Sequence, residues 1–128
     1  MNVNTHHKID RNLCGTPVEL KEGVARVSLT ASEPMVADEL GLVHGGFIFG
    51  LADYAAMLAV NHPNVVLARA HVDFLKPVKV GDKLIAEARI TEQEKNKALV
   101  EVIVKKSKDM VFSGKFFCVI TRHHVLEG

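Results

Sequence analysis

The chain has 128 residues, 48% of them hydrophobic and 24% charged, with a formal net charge of +1. That length suits one domain burying its own core without a staple, and the composition argues against disorder. The near-neutral charge speaks against a surface built for nucleic acid or an anionic membrane. Two cysteines, Cys14 and Cys118, are too few for a disulfide scaffold and fit a reducing, cytoplasmic setting.

Residues 1–13 are polar, with no apolar signal-peptide run, and read as a loosely held arm of a single domain spanning 1–128. Pro17–Lys21 predicts a short strand and Glu22-Gly23 a turn. Val24–Ala31 alternates, placing Ala25, Val27, Leu29 and Ala31 on one buried face. Residues 32–43 connect, with one helical turn, to a helix that starts near Gly45 or Gly46 and runs to about Asn61. His62-Pro63-Asn64 stops it, since proline cannot continue the backbone ladder. Four strands follow: Val65–Leu75, Leu84–Glu94, Leu99–Lys105 and Met110–Thr121. In the second of them Leu84, Ala86, Ala88 and Ile90 share a face. The order β-β-α-β-β-β-β predicts an α+β fold, an antiparallel sheet curved around one long central helix.

Phe47–Val60 is apolar apart from Gly50, Asp53 and Tyr54, yet too short for a bilayer, which needs roughly 20 apolar residues. A helix this apolar must be covered on nearly all sides. One curved sheet is not expected to do that alone, which predicts a second copy of the chain.

Asp53 is the one acidic residue in this helix. A buried carboxylate must be paired, hydrogen-bonded or raised in pKa, which makes Asp53 a candidate catalytic residue. His44-Gly45-Gly46 stands at the helix start. There the first N–H groups lack internal partners and the helix dipole is positive, a natural cradle for a carbonyl oxygen as charge develops on it. Asp53 lies eight residues past Gly45, about 12 Å along an α-helix. It cannot reach a carbonyl held at its own helix N-terminus, so a shared reaction requires Asp53 from a two-fold-related chain and gives two sites per dimer. His71 is the third candidate: alternation puts Arg69, His71 and Asp73 on one face of their strand and Ala68, Ala70, Val72 and Phe74 on the other. It reads either as a packed or solvated histidine or as a base or orienting group opposite Asp53. No HExxH or CxxC pattern appears, and neither His6-His7 nor His123-His124 is spaced to chelate, so no metal is expected. Cys14 and Cys118 read as small hydrophobes.

GLVHGGFIFGLADYAAMLAVN (41–61) followed by VDFLKPVKVGDKLIAEARI (72–90) resembles the hotdog-fold acyl-CoA thioesterases, specifically the phenylacetyl-CoA type. The shared pattern is HGG, a helix carrying LAD, a strand ending in a DFLRP-like motif, and a GD pair opening the next strand. The resemblance implies a hotdog domain, homodimers joined edge to edge by their sheets and pairs of dimers forming tetramers. It implies coenzyme A as part of the substrate and no other cofactor. Asp53 would be the nucleophile or the base for water, the N–H of Gly45 or Gly46 would polarise the thioester carbonyl, and His44 would position the loop. Phe47, Leu51, Tyr54 and Met57 would line an acyl tunnel between subunits, with Lys76, Lys79, Lys105 or Lys106 near the nucleotide phosphates. Three departures stand out. Asp38 replaces an Asn six residues before the HGG histidine, Val66-Leu67-Ala68 carries no hydroxyl, and His71 stands six residues before Pro77. Fluoroacetyl-CoA thioesterases, a related hotdog group, place a catalytic His at that last spacing, which suggests an Asp53–His71 pair. The expected activity is acyl-CoA hydrolysis. The alternatives are a non-catalytic acyl-CoA-binding or regulatory hotdog protein and an acyl-thioester dehydratase or hydratase, whose usual Asp-x4-His spacing is missing.

Overall fold

The computed structural model describes residues 1–127. Its elements, in chain order, are α1 (Arg11–Cys14), β1 (Thr16–Lys21), β2 (Val24–Thr30), a 3₁₀ turn at Glu33–Met35, α2 (Gly45–Val60), β3 (Val65–Phe74), β4 (Lys83–Glu94), β5 (Lys97–Lys106) and β6 (Asp109–Ile120). The strands form one six-stranded sheet in the order β1-β2-β4-β5-β6-β3, with every neighbouring pair antiparallel. A single domain with one long helix against a curved antiparallel sheet is the hotdog architecture the resemblance implied.

Period-two alternation explains how the sheet meets the helix. Ala25, Val27 and Leu29 of β2, Leu84, Ala86 and Ala88 of β4, and Val100, Val102 and Val104 of β5 are all buried. Alanines on both surfaces let α2 lie close: Ala52, Ala55, Ala56 and Ala59 of the helix and Ala25, Ala86, Ala88 and Ala98 of the sheet are each 4% exposed or less. α2 ends at Asn61, whose left-handed backbone (φ 54°, ψ 39°) turns the chain before Pro63.

The helix takes more of its cover from its own chain than composition alone suggested. Strands of ten to twelve residues reach across it, and α1 packs on its other side. Residues 1–13, read above as a loosely held arm, lie against the body. Asn4 N–H donates to Asn61 Oδ1 at 2.8 Å, Asn61 Nδ2 donates to the Asn2 carbonyl at 2.8 Å, and Val3, Ile9 and Leu13 pack on the core. The partly open residues of α2 are Gly45, Phe47, Phe49 and Val60 together with a stripe at i, i+4 and i+7, in which Gly46 is exposed and Gly50 and Asp53 are half-buried.

β3 departs from simple alternation at one point. A bulge between Leu67 and Arg69 leaves Ala68 exposed instead of facing inward. Beyond the bulge the expected alternation holds, with Ala70 and Val72 packed on the core and Arg69, His71 and Asp73 exposed on the outer face.

The Gly81-Asp82 pair owes its place to the turn into β4. Gly81 has φ +93°, a conformation that suits glycine, and Asp82 accepts from the Lys79 N–H at 2.9 Å and from Lys106 Nζ at 3.2 Å. Burial would push the Asp82 carboxyl up, but the Lys79 N–H and the Lys106 ammonium outweigh it and hold the pKa below the usual value. A depressed carboxylate stabilises the fold above its unfolded pKa, and that contribution is lost as pH falls through the folded pKa. Asp82→Asn is therefore expected to lower stability by about 1–2 kcal/mol at pH 7. In urea titrations at several pH values the gap between variant and parent should close in acid; a gap independent of pH would rule out this origin.

Candidate functional site

The start of α2 is uncapped. His44 has an extended backbone (φ −63°, ψ 132°) and its side chain makes no capping bond. Phe47 N–H donates to the His44 carbonyl at 3.0 Å, while the N–H groups of Gly45 and Gly46 have no acceptor among the described residues. Two orphan donors therefore sit at the positive end of the helix dipole. Neither glycine has a positive φ, so what they supply is room. A Cβ on Gly45 would lie 3.1 Å from the Phe74 ring, and one on Gly46 would lie 3.0 Å from the His44 ring.

Asp53 sits two turns further on. Its Oδ1 is shut off from water and has no hydrogen-bond partner, and burial pushes its pKa up to about 6. A carboxylate so placed is a stronger base than an exposed one and still largely ionised at pH 7. Both cysteines lie within reach of its charge. The Cys14 Sγ is 4.0 Å from where a Gly50 Cβ would stand. Burial, then the charges of Asp10 and Asp53, push the Cys14 thiol up; burial, then Asp53, push Cys118 up to about 12. Neutral thiols agree with the reading of these residues as small hydrophobes. Their closeness to Asp53 was not visible in the sequence, since only the docking of α1 on α2 and the register of β6 bring residues 14, 53 and 118 together.

The remaining candidates divide. His71 is exposed on the face of β3 that points away from α2, opposite Lys115 of β6 and edge-on to Phe117 with ring centroids 5.6 Å apart. It does not stand opposite Asp53 within the chain, because odd-numbered residues after the bulge point outward. Leu51, Tyr54 and Met57 are at most 1% exposed and belong to the core. They line no open tunnel here, and only Phe47 of that group is half-exposed. Lys76 pairs with Asp109 at 3.2 Å, Lys105 with Glu87 at 3.3 Å and Lys106 with Asp82 at 3.2 Å; Lys79 is exposed and has no ion pair among the described residues. Asp38 accepts from the N–H groups of Leu40 and Leu42 at 3.0 and 3.1 Å, so it shapes the loop ahead of His44. A carboxylate there offers no donor to a substrate carbonyl.

A pocket of about 290 Å³ opens beside Gly45, between α2 and the ends of β3 and β6. Asp53 lies outside it. The chain therefore presents the donors and the carboxylate about 12 Å apart along one helix, too far to share a substrate within one copy. Among the described residues no cluster of His, Cys, Asp and Glu could hold a metal ion, and no helix is long and apolar enough to cross a membrane.

Comparison with known proteins places the chain in a family. Residues 40–113 match the model of the thioesterase superfamily. The chain is 57% identical over 119 residues to the methylthioribose-1-phosphate isomerase of Aquifex aeolicus, a match covering 93% of the chain and 26% of that protein. It is 32% identical to the transcription factor FapR of Caldanaerobacter subterraneus subsp. tengcongensis, over 88% of the chain and 57% of FapR. The chain thus spans from a quarter to just over half the length of these two relatives. The acyl-coenzyme A thioesterase PaaI of Escherichia coli is matched more evenly, at 30% identity over 88% of the chain and 86% of PaaI. Among solved structures, an uncharacterized protein of Pyrococcus horikoshii superposes with a TM-score of 0.97 and 54% identity, over 98% of this chain and 97% of that one. With a family model matching more than half its length and a full-length thioesterase relative, the chain belongs to the thioesterase superfamily.

Proposed function

We propose that this protein hydrolyses acyl-CoA thioesters, at a site completed by two copies of the chain. The observation that carries the reading is the pairing, on one helix, of two unclaimed N–H donors at its start with a half-buried carboxylate whose Oδ1 is unpartnered. The thioester carbonyl oxygen accepts from the Gly45 and Gly46 N–H groups of one copy. Asp53 of the other takes a proton from water, whose oxygen adds to the carbonyl carbon. The resulting oxyanion is stabilised by the two N–H groups, which cost no reorganisation as charge develops. The C–S bond then breaks, and the departing coenzyme A sulfur recovers the proton from Asp53. The similarity to PaaI supports this chemistry. The isomerase match covers a quarter of that protein, and its name describes the whole.

β3, an unpaired edge of the sheet with ten residues, is the strand through which two copies would join. The proposed mechanism gives His71 no chemical step. His71→Ala is expected to change coenzyme A release by no more than about twofold, the usual range for an exposed side chain. A loss beyond a hundredfold would restore the Asp53–His71 pair as a contact made between copies.

The test of the activity is coenzyme A release from short-chain, long-chain and aryl acyl-CoAs by the parent and by Asp53→Ala. Release that depends on Asp53 supports hydrolysis. The similarity to FapR, a transcription factor by name, favours a second reading, a non-catalytic regulatory module; no coenzyme A release above background from parent or variant, with acyl-CoA binding still measurable, would support it.

A further inference from the structure

The pocket beside Gly45 has walls and a floor of a particular kind. Val43, Ile48, Val78 and Val111 form the floor and are 2–5% exposed. Phe74 and Leu75 form the outer wall and are 55% and 49% exposed. The Phe74 ring lies against Gly45 and stacks edge-on to Phe112, with centroids 5.2 Å apart. Gly45, whose N–H has no acceptor among the described residues, lines the pocket, and apart from Lys76 every other side chain lining it is apolar. Lys76 stands at the lip, tied to Asp109.

Such a site selects among the parts of an acyl thioester. A carbonyl oxygen held by Gly45 leaves its two substituents to go separate ways. The pantetheine arm carries two amides, and burying them among aliphatic side chains would cost their hydrogen bonds with water. A hydrocarbon chain gains from the same burial. The volume limits its length: about 290 Å³ is at the small end of ligand pockets, equivalent to roughly ten water molecules of liquid.

Resting on the thioesterase reading, we infer that this pocket between α2 and the ends of β3 and β6 is the acyl chamber, and that Ile48 and Val111 at its floor restrict the substrate to short or branched apolar acyl groups. It takes the place of the tunnel along Leu51, Tyr54 and Met57, which the fold fills with core.

The test uses binding instead of turnover. A series of S-(2-oxoalkyl)-coenzyme A ketones, which keep a carbonyl and resist hydrolysis, is titrated calorimetrically into the full-length parent, Ile48→Ala and Val111→Leu, with circular dichroism confirming the fold. In the parent, affinity should rise about fourfold per methylene and then stop rising at a short chain. Ile48→Ala should move that break to longer chains and Val111→Leu to shorter ones. If Ile48→Ala fails to fold, Val111→Leu, which adds one methylene, carries the test alone. Affinity that climbs steadily to octyl in the parent, or a break that stays put in the folded variants, overturns the chamber while leaving the thioesterase reading intact. Failure of coenzyme A and every ketone to bind the parent overturns that reading, and this inference with it.

Discussion

Asp53→Asn is expected to cut coenzyme A release by about 10²–10⁴-fold, the usual worth of a general base, and to stabilise the fold in the same stroke. The two effects have one cause. Asn keeps the shape of Asp but carries no charge, so it removes both the base and the cost of holding a carboxylate where Oδ1 meets neither water nor a donor. The parent's carboxyl is raised from 3.8 to about 6 by burial. At about 1.36 kcal/mol per pKa unit, that shift disfavours the folded, ionised state by up to about 3 kcal/mol. A raised folded pKa means that stability is fully present below about 3.8 and is lost as pH rises through about 6. Urea melts should therefore show Asp53→Asn well above the parent at pH 7 and level with it near pH 4. The parent's rate should climb as pH rises through about 6 and then level off, as the base ionises. Equal stability of the two proteins at pH 7 would mean that Asp53 is already paired, and the argument for it as a base would fail.

What the sequence disclosed depended on range. The succession of elements along the chain, the start of α2 and the inward faces of β2 and β4 follow from periods of two and 3.6 and from stop signals such as Pro63, all local properties. The orphan donors at Gly45 and Gly46 were legible for the same reason, since any helix start lacks partners. Asp53 stood out because charge and an apolar helix conflict within a few residues. Long-range facts stayed hidden. Whether Tyr54 and Met57 face a tunnel or a core depends on how far the ten- and twelve-residue strands reach around α2. The outward direction of His71 could be read from alternation, but its distance from Asp53 depends on which face of the sheet α2 covers. The pocket at Gly45 joins residues 43–48, 74–78 and 111, which no local pattern connects. Val111 could not be assigned to it from alternation, because Val111 is the extra residue of a bulge in β6, opposite Val104 and Lys105 of β5, which leaves Val111 and Phe112, neighbours in sequence, both buried.

Gly45→Pro should be as damaging to catalysis as the loss of Asp53 is, and almost silent in structure. Gly45 is the first helical residue, the position at which proline is best tolerated because its missing N–H has no helical partner anyway. His44 already has the extended backbone (φ −63°, ψ 132°) that a following proline favours. The one close contact is the Phe74 ring, 3.1 Å from a Cβ at this site, and that ring, 55% exposed, has solvent on its outer side into which it can yield. What the substitution removes is a donor aimed at the oxyanion, with an expected fall of about 10²–10³-fold in kcat. Pairing this variant with Asp53→Asn tests the shared site directly. On the proposed two-copy site each variant alone should be inactive, one for want of a donor and the other for want of a base. If they are unfolded together and refolded, half the dimers combine one chain of each kind, and in these one of the two sites unites an intact Gly45 with an intact Asp53. Activity should return to about a quarter of the parent's. No recovery, with mixed dimers confirmed by mass, would mean that the two groups do not meet across a two-fold axis. Since about 12 Å of helix separates them within a chain, they would then serve no common reaction, and the donors at Gly45 and the carboxylate at Asp53 would each need a separate explanation.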